Sequence, residues 1–230
     1  HGLYLDGDRL YVGYFHHGMD VIDLKDFSVT NYMGGHGIPG KISDNNVFAI
    51  CKDRRGTFWV GTIYGLNKFN PKNGKFEIVP EMFDTNVYDI MEDSRGLIWV
   101  ASNGTGLHCY NPKTSVWKHI SRTSDAAAGC HNWTRGLNED STGNIWVATE
   151  GGGVSVYNPF EQTFKTYTTK DGLPSNVVHK ILNGNNGRIW ISTNKGLTEF
   201  DPSSGTFFTH THYNGLLSKQ FNYKSGIETS

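Results

Sequence analysis

The sequence predicts an all-β fold, a β-propeller of four-stranded antiparallel blades, and three observations carry that reading. A strand-like segment recurs five times, as RLYVGY (9–14), GTFWVGT (56–62), GLIWVAS (96–102), GNIWVAT (143–149) and GRIWIST (187–193). Its central aromatics, Tyr11, Trp59, Trp99, Trp146 and Trp190, are spaced by 48, 40, 47 and 44 residues. That irregular period lies in the range of propeller blades. The chain also has 28 glycines in 230 residues, 13% aromatic and 19% charged residues, where about 7% Gly and 25% charged are average. Many turns and large flat side chains follow, and the long Ala/Glu/Lys/Leu-rich stretches of a helical bundle are missing.

Within one repeat the strands can be read in order, here called A to D. Asn45 to Ile50 is a short apolar run of strand type, and Asp53-Arg54-Arg55-Gly56 has the chemistry of a tight turn. Phe58-Trp59-Val60 is strand B, Thr62 to Gly65 the next turn and Leu66 to Phe69 strand C. Asn70-Pro71-Lys72-Asn73-Gly74 reads as a hairpin, leading to strand D over Phe76 to Val79. The A to B turn returns as Asp93 to Gly96 and Asp140 to Gly143, the C to D turn as Asn111-Pro112, Asn158-Pro159 and Asp201-Pro202. Blades are expected near 3–32, 45–80, 85–121, 131–169 and 176–212, with 213–230 starting a further or closing blade. Apolar residues at both alternations of strand B, as in Ile98-Trp99-Val100, suit sheets stacked blade on blade. The four tryptophans are therefore expected between blades rather than around a ligand.

Charge and cysteine content narrow the function classes. Lys and Arg number 21 against 22 Asp and Glu, so the basic footprint of a nucleic-acid or polybasic membrane binder is lacking and no nucleic-acid partner is expected. Cys51, Cys109 and Cys130 show no zinc spacing and cannot form a disulfide framework; Cys51 and Cys109 read as small buried hydrophobes. No apolar run approaches a membrane span, and the start at His1 shows no signal peptide, so the sequence as given reads as soluble, whether whole or excised from something larger. His210 and His212 alternate in a strand and could offer two metal ligands, too few for a structural zinc, so no metal or cofactor is expected.

The recurring Asp-x-x-Gly-x-Ile-Trp-Val-Gly/Ala-Thr, then Gly-Leu, then Asn-Pro, with the connector Asp171-Gly172-Leu173-Pro174-Ser175-Asn176, resembles the regulator-propeller repeats of hybrid two-component sensor proteins. The ending Asn214 to Tyr223 is similar to that family's last connector, which leads into a closing blade. The resemblance implies part of a larger propeller, commonly seven-bladed, in the periplasmic, extracytoplasmic region of an inner-membrane protein. It implies oligosaccharide inputs, and partners in the remainder of a sensor histidine kinase chain or a second copy in a homodimer. No kinase helix or nucleotide-binding Gly-rich loop occurs here, so no catalytic residue is assigned to this chain and any kinase activity would belong to a region outside it.

Ligand candidates come from positions where the repeat changes. Strand A is expected nearest the propeller axis, with the D to A and B to C loops opening on one face, the mouth of the channel. Aligned on the A to B turn, Asn46, Asn86, Trp133 and Val177 share one register, and Phe48, Tyr88, Arg135 and His179 share the position two residues on. Trp133 and Arg135 break the pattern most. An indole offers a flat face to a sugar ring and a guanidinium can grip a carboxylate or sulfate; alternatively Trp133 plugs the wider loop left by the connector 122–131. Tyr64, Asn103, Glu150 and Lys195 differ around the B to C rim, and Glu150 is either a ligand contact or an ion-pair partner of Arg135. The candidate ligand-binding set is thus Trp133, Arg135, His179, Tyr88, Tyr64, Asn103 and Glu150. The sequence supports a ligand-sensing module, with a lyase or glycosidase and a protein-binding scaffold as alternatives. A glycosidase would need two facing carboxylates, of which only Glu150 is well placed and Asp89, on a strand A, is a distant second; a lyase would need His131 or His179 as base.

Overall fold

A computed structural model of the chain describes residues 2–120, 130–218, 220–222 and 226. Five four-stranded antiparallel sheets account for nearly all of its regular structure, each a simple meander of neighbouring strands. They are β1–β4 (Leu3–Asp6, Arg9–Gly13, Met19–Asp23, Val29–Tyr32), β5–β8 (Val47–Lys52, Phe58–Thr62, Gly65–Asn70, Lys75–Phe83) and β9–β12 (Asn86–Glu92, Ile98–Asn103, Gly106–Asn111, Val116–Ile120). Then come β13–β16 (Thr134–Glu139, Ile145–Thr149, Val154–Asn158, Thr163–Tyr167) and β17–β20 (Val178–Asn183, Ile189–Thr193, Gly196–Asp201, Thr206–His210). Among the described residues the only helical pieces are two three-residue 3-10 turns, Thr169–Asp171 and His212–Asn214. These five sheets are the blades of a β-propeller. Leu3–Asp6 is strand A of the first blade, pairing with β2. Residues 121–129 of the third connector and most of 223–230 lie outside the described residues.

The chain divides into two compact units, one of residues 1–104 and 108–118, the other of 105–107 and 119–230. In the first, contact between neighbouring blades runs through strands A and B and thins out at strand C, so strand A is the inner edge of each fan. Its cores are the inter-blade layers themselves. Tyr11, Met19, Val47, Phe58, Val60 and Phe69 pack in one, and Trp59, Leu66, Val87, Ile90, Ile98 and Val100 in the next. The second unit repeats the arrangement with Trp146, Val154, Val178, Ile181, Ile189, Ile191 and Phe200.

Stacking this close explains the small residue that follows the Trp-Val pair. A Cβ on Gly61 would lie 2.5 Å from Val87 Cγ1 of the next blade, a distance no side chain tolerates. Gly153 serves the B to C loop differently: its φ is +79° and a Cβ there would lie 2.1 Å from the Tyr167 carbonyl oxygen, so only glycine fits.

Trp59, Trp99 and Trp146 are buried, at 2%, 1% and 3% exposure. Trp190, which the repeat places with them, is only half-buried and stacks on His210 at 5.1 Å. His210 also lies 3.5 Å from Glu199, and β20 ends there, so His212 belongs to the 3-10 turn and not to the same strand face. No cluster of three metal-ligating side chains occurs among the described residues. All three cysteines are free, and burial pushes each thiol up to about 12.

Candidate functional site at the blade rims

The rim formed by the D to A and B to C loops is built by hydrogen bonds from the loop of one blade to the strand A entry of the next. In the first unit Gly18 N–H donates to Asn45 O and Val47 N–H to Tyr14 O, both at 2.8 Å. In the second, Gly151 and Gly153 N–H both donate to Asn176 O at 2.9 Å. These bonds satisfy loop backbone groups and fix the side chains between them.

Asn46 belongs to this scaffold. Its Oδ1 accepts the N–H of His16 at 3.0 Å, and its own amide groups donate to Asp44. The donor it caps, His16, has a φ of +63°, a conformation that needs such support. Asn86, in the same register one blade on, keeps a buried Oδ1 without a hydrogen-bond partner among the described residues.

At the next inner position the first unit presents aromatics. Tyr88 stacks on Phe48 with ring centres 4.7 Å apart and planes 6° from parallel. Nearer the surface, Tyr64 is 41% exposed and meets His36 edge-on at 5.0 Å, and His36 lies 5.0 Å from Phe83. Asn103 ends β10 opposite Asn86. His36, Phe83 and the exposed Phe15 were not among the residues singled out from the sequence. His36 and Phe15 lie in connectors and Phe83 at the far end of β8, beyond the strand read from the sequence, where no repeat register calls attention to them.

The second unit presents charge and one large exposed ring. Trp133 is 52% exposed; most of the connector 122–131, the loop it would plug on the alternative reading, lies outside the described residues. Its backbone is nevertheless pinned on both sides: its N–H donates to His131 Nδ1 at 3.2 Å, and its carbonyl accepts Glu150 N–H at 2.9 Å. Arg135 donates Nε to Glu150 Oε2 at 2.8 Å, and its Nη2 meets the same oxygen. Glu150 is thus an ion-pair partner, with a carboxylate still partly open to solvent. His179 follows one blade on. Its Nε2 is buried and has no hydrogen-bond partner among the described residues. Burial first, and the Arg135 charge second, hold its pKa below the ordinary histidine value, partly opposed by Glu150. The ring is therefore favoured as a neutral imidazole, with one nitrogen buried.

The structure thus groups Trp133, Arg135, Glu150 and His179 on one rim, and places Tyr64, Tyr88 and Asn103 on the rim of the other unit. A cavity of about 570 Å³ in the second unit lies at the other end of the blades, among the A to B and C to D turns.

The fold and its recurring turns define a propeller made of regulator-type repeats. Residues 41–64, 81–104 and 172–195 match the family described as two component regulator propeller. Among solved structures, the chain is similar to the extracellular domain of the hybrid two component system BT3049 from B. thetaiotaomicron. The TM-score is 0.80 and the identity 24%, over 95% of this chain and 29% of that one. It is also similar to PorZ, a surface component of the type-IX secretion system of Porphyromonas gingivalis, with TM-score 0.71, 16% identity, and 95% and 34% of the two chains. Virginiamycin B lyase from Staphylococcus aureus shares the fold at TM-score 0.68 and 15% identity, over 91% and 68%. At these identities the likeness is one of fold. The chain spans less than a third of the BT3049 extracellular domain. No curated protein matches it in sequence. No described helix is long and apolar enough to cross a membrane.

Proposed function

We propose that this chain is the ligand-sensing part of an extracytoplasmic two-component sensor, that it binds an oligosaccharide at the rim where Trp133, Arg135, Glu150 and His179 meet, and that it performs no chemistry itself. The observation that carries the reading is the exposed indole of Trp133 on a backbone pinned to Glu150, whose carboxylate holds the Arg135 guanidinium, with the His179 ring one blade on. A flat apolar face beside a few fixed polar groups is what a sugar ring requires, with an apolar face of its own and hydroxyls at its edge.

Tyr88, Tyr64 and Asn103 are proposed as further contacts, on the first unit's rim. Signalling would pass to the remainder of a sensor kinase chain, in a periplasmic arrangement in which these blades belong to a larger ring. Phe221 supports continued stacking: its N–H donates to Thr193 O at 3.1 Å, the same contact that Val47 makes on Tyr14 at the first blade. Such a bond is what the first residue of a further strand A would make.

An array of plant and host oligosaccharides probed with the purified domain, with a turnover assay on each hit, tests the reading. Saturable binding without turnover is expected. Product formation from a hit would replace the sensor with an enzyme, and silence across the array would favour a protein-binding scaffold.

A further inference from the structure

The 570 Å³ cavity between the fourth and fifth blades is lined by three short side chains, Ser141, Thr142 and Val156. In the first unit the corresponding cleft, between the second and third blades, is occupied by long basic chains of the second blade. Arg54 donates Nη1 to Ser94 O and Nη2 to Asp93 O, each at 3.0 Å. Its backbone N–H donates to Glu92 Oε2 at 2.8 Å, and Arg55 Nη2 donates to Gly96 O at 3.2 Å. Lys68, opposite Trp59 in the sheet, lays its ammonium 5.4 Å from the centre of that ring. In the fourth blade the same three positions hold Ser141, Thr142 and, opposite Trp146, Val156.

The facing turn keeps the acceptors. Gly184 and Gly187 line the cavity and stand in the register of Asp93 and Gly96. The backbone turn is the same: Gly187 N–H donates to Gly184 O as Gly96 N–H donates to Asp93 O. What differs is that no guanidinium of the preceding blade is there to bridge the carbonyls. The lining is acidic on balance, with Glu139, Asp140 and Glu161 against Lys165 and Arg188, and Arg188 already sits 2.9 Å from Glu199 and 3.7 Å from Asp201.

We infer that this cleft is a receptor for a guanidinium group supplied from outside the chain, taking the place that Arg54 takes by itself one pair of blades earlier. In the second blade Arg54 aims such a planar fork of donors at two turn carbonyls while Lys68 covers the Trp59 ring; here the head of one arginine would take the first role and its alkyl stem, along Trp146, the second. The cavity is large enough for the head and stem of an arginine. A compact ammonium would match the charge but not the forked geometry. The group comes either from a free guanidino compound or from an arginine of a partner polypeptide.

Titration of the whole domain with agmatine, followed by amide NMR shifts of Gly184 and Gly187, tests this directly, with butylamine as the ammonium control and the tripeptide Gly-Arg-Gly as the polypeptide arm. Saturable shifts with agmatine in the millimolar range are expected, with butylamine about tenfold weaker. Tighter binding of Gly-Arg-Gly than of agmatine would identify a polypeptide source, and the reverse a free compound. The double variant Ser141→Arg/Thr142→Arg should fill its own cleft, melt no lower than the parent and lose the response. Absence of saturation in the parent protein, equal binding of butylamine, or an unchanged response in a folded double variant would each overturn the inference. None of these outcomes depends on whether an oligosaccharide binds the opposite rim.

Discussion

The indole Nε1 of Trp99 donates to Asp93 Oδ2 at 2.9 Å, and the same carboxylate accepts the N–H groups of Arg95 and Leu97 through its other oxygen. Trp59 with Asp53 at 3.0 Å and Trp146 with Asp140 at 2.7 Å repeat the contact. The motif that runs from Asp through Gly to Trp is therefore one closed unit. The carboxylate shapes the A to B turn and also satisfies the polar edge of an indole that must be buried between blades. Loss of a buried carboxylate that accepts from several donors leaves each donor stranded. Replacing Asp93 with Ala should cost about 3–5 kcal/mol in denaturant unfolding. A loss under about 1 kcal/mol would reduce the carboxylate to a turn former.

The fifth blade departs from this unit, and the departure should be measurable. Gly184 stands where the Asp should be, and a Cβ there would lie 2.9 Å from Trp190 Nε1. Trp146→Phe leaves Asp140 short of a donor, while Trp190→Phe strands no carboxylate and alters a half-buried site. The first change should destabilise by about 2 kcal/mol more than the second. Equal melting shifts would show that the indole bond contributes nothing beyond packing.

Acid should act on the fold at two places. Because the folded protein holds His179 below its ordinary value, the neutral ring is favoured in the native state. Its contribution is complete above about pH 6.5 and is lost as pH falls through the lowered native value. His179→Gln should flatten the stability curve over that window. Burial of Asp140 works against its charge, but donation from Thr142, Trp146 and Asn144 outweighs it and leaves the group below the ordinary carboxylate value. That contribution persists above the unfolded value and disappears as the solution becomes more acidic still. Melts of the parent and the His179 variant between neutral and acidic pH separate the two effects, and identical curves would remove His179 from the account.

The cysteines offer a check on packing. With each thiol pushed from 9.0 to about 12 by burial, the native thiolate fraction near pH 8 falls on the order of a thousandfold below that of the unfolded chain. Ellman's reagent should therefore react slowly with the native domain and quickly with all three cysteines in denaturant. A fast native phase would place one of them at an open surface.

Much of this was legible in the sequence because a repeat writes the same physics several times. The strand order, the turns and the burial of Trp59, Trp99 and Trp146 follow from recurrence alone, since a position kept in register serves the fold. The Asp to Trp hydrogen bond was written there too, six residues apart in three blades, but a single-turn reading of Asp takes it only as a turn former. Trp190 shows the opposite limit. It shares the register of the other three, yet its burial depends on what lies over the fifth blade and on Gly184 in place of Asp. At the rim, the sequence marked Trp133 and Arg135 as departures but left Glu150 between two roles. Only the three-dimensional arrangement shows Arg135 gripping Glu150, and His36 meeting both Tyr64 and Phe83, because these contacts join segments well separated in the chain.

The central claim is that Trp133 binds ligand while the repeat tryptophans hold the fold. Calorimetric titration of Trp133→Ala and of the parent with the tightest-binding oligosaccharide from the array, alongside thermal melts of Trp133→Ala and Trp99→Ala, tests it most directly. Trp133→Ala should lose about ten- to a hundredfold in affinity with its melting temperature nearly unchanged, while Trp99→Ala should lose about 3–5 kcal/mol of stability. A Trp133→Ala protein that binds as tightly as the parent, or that fails to fold, would contradict the account.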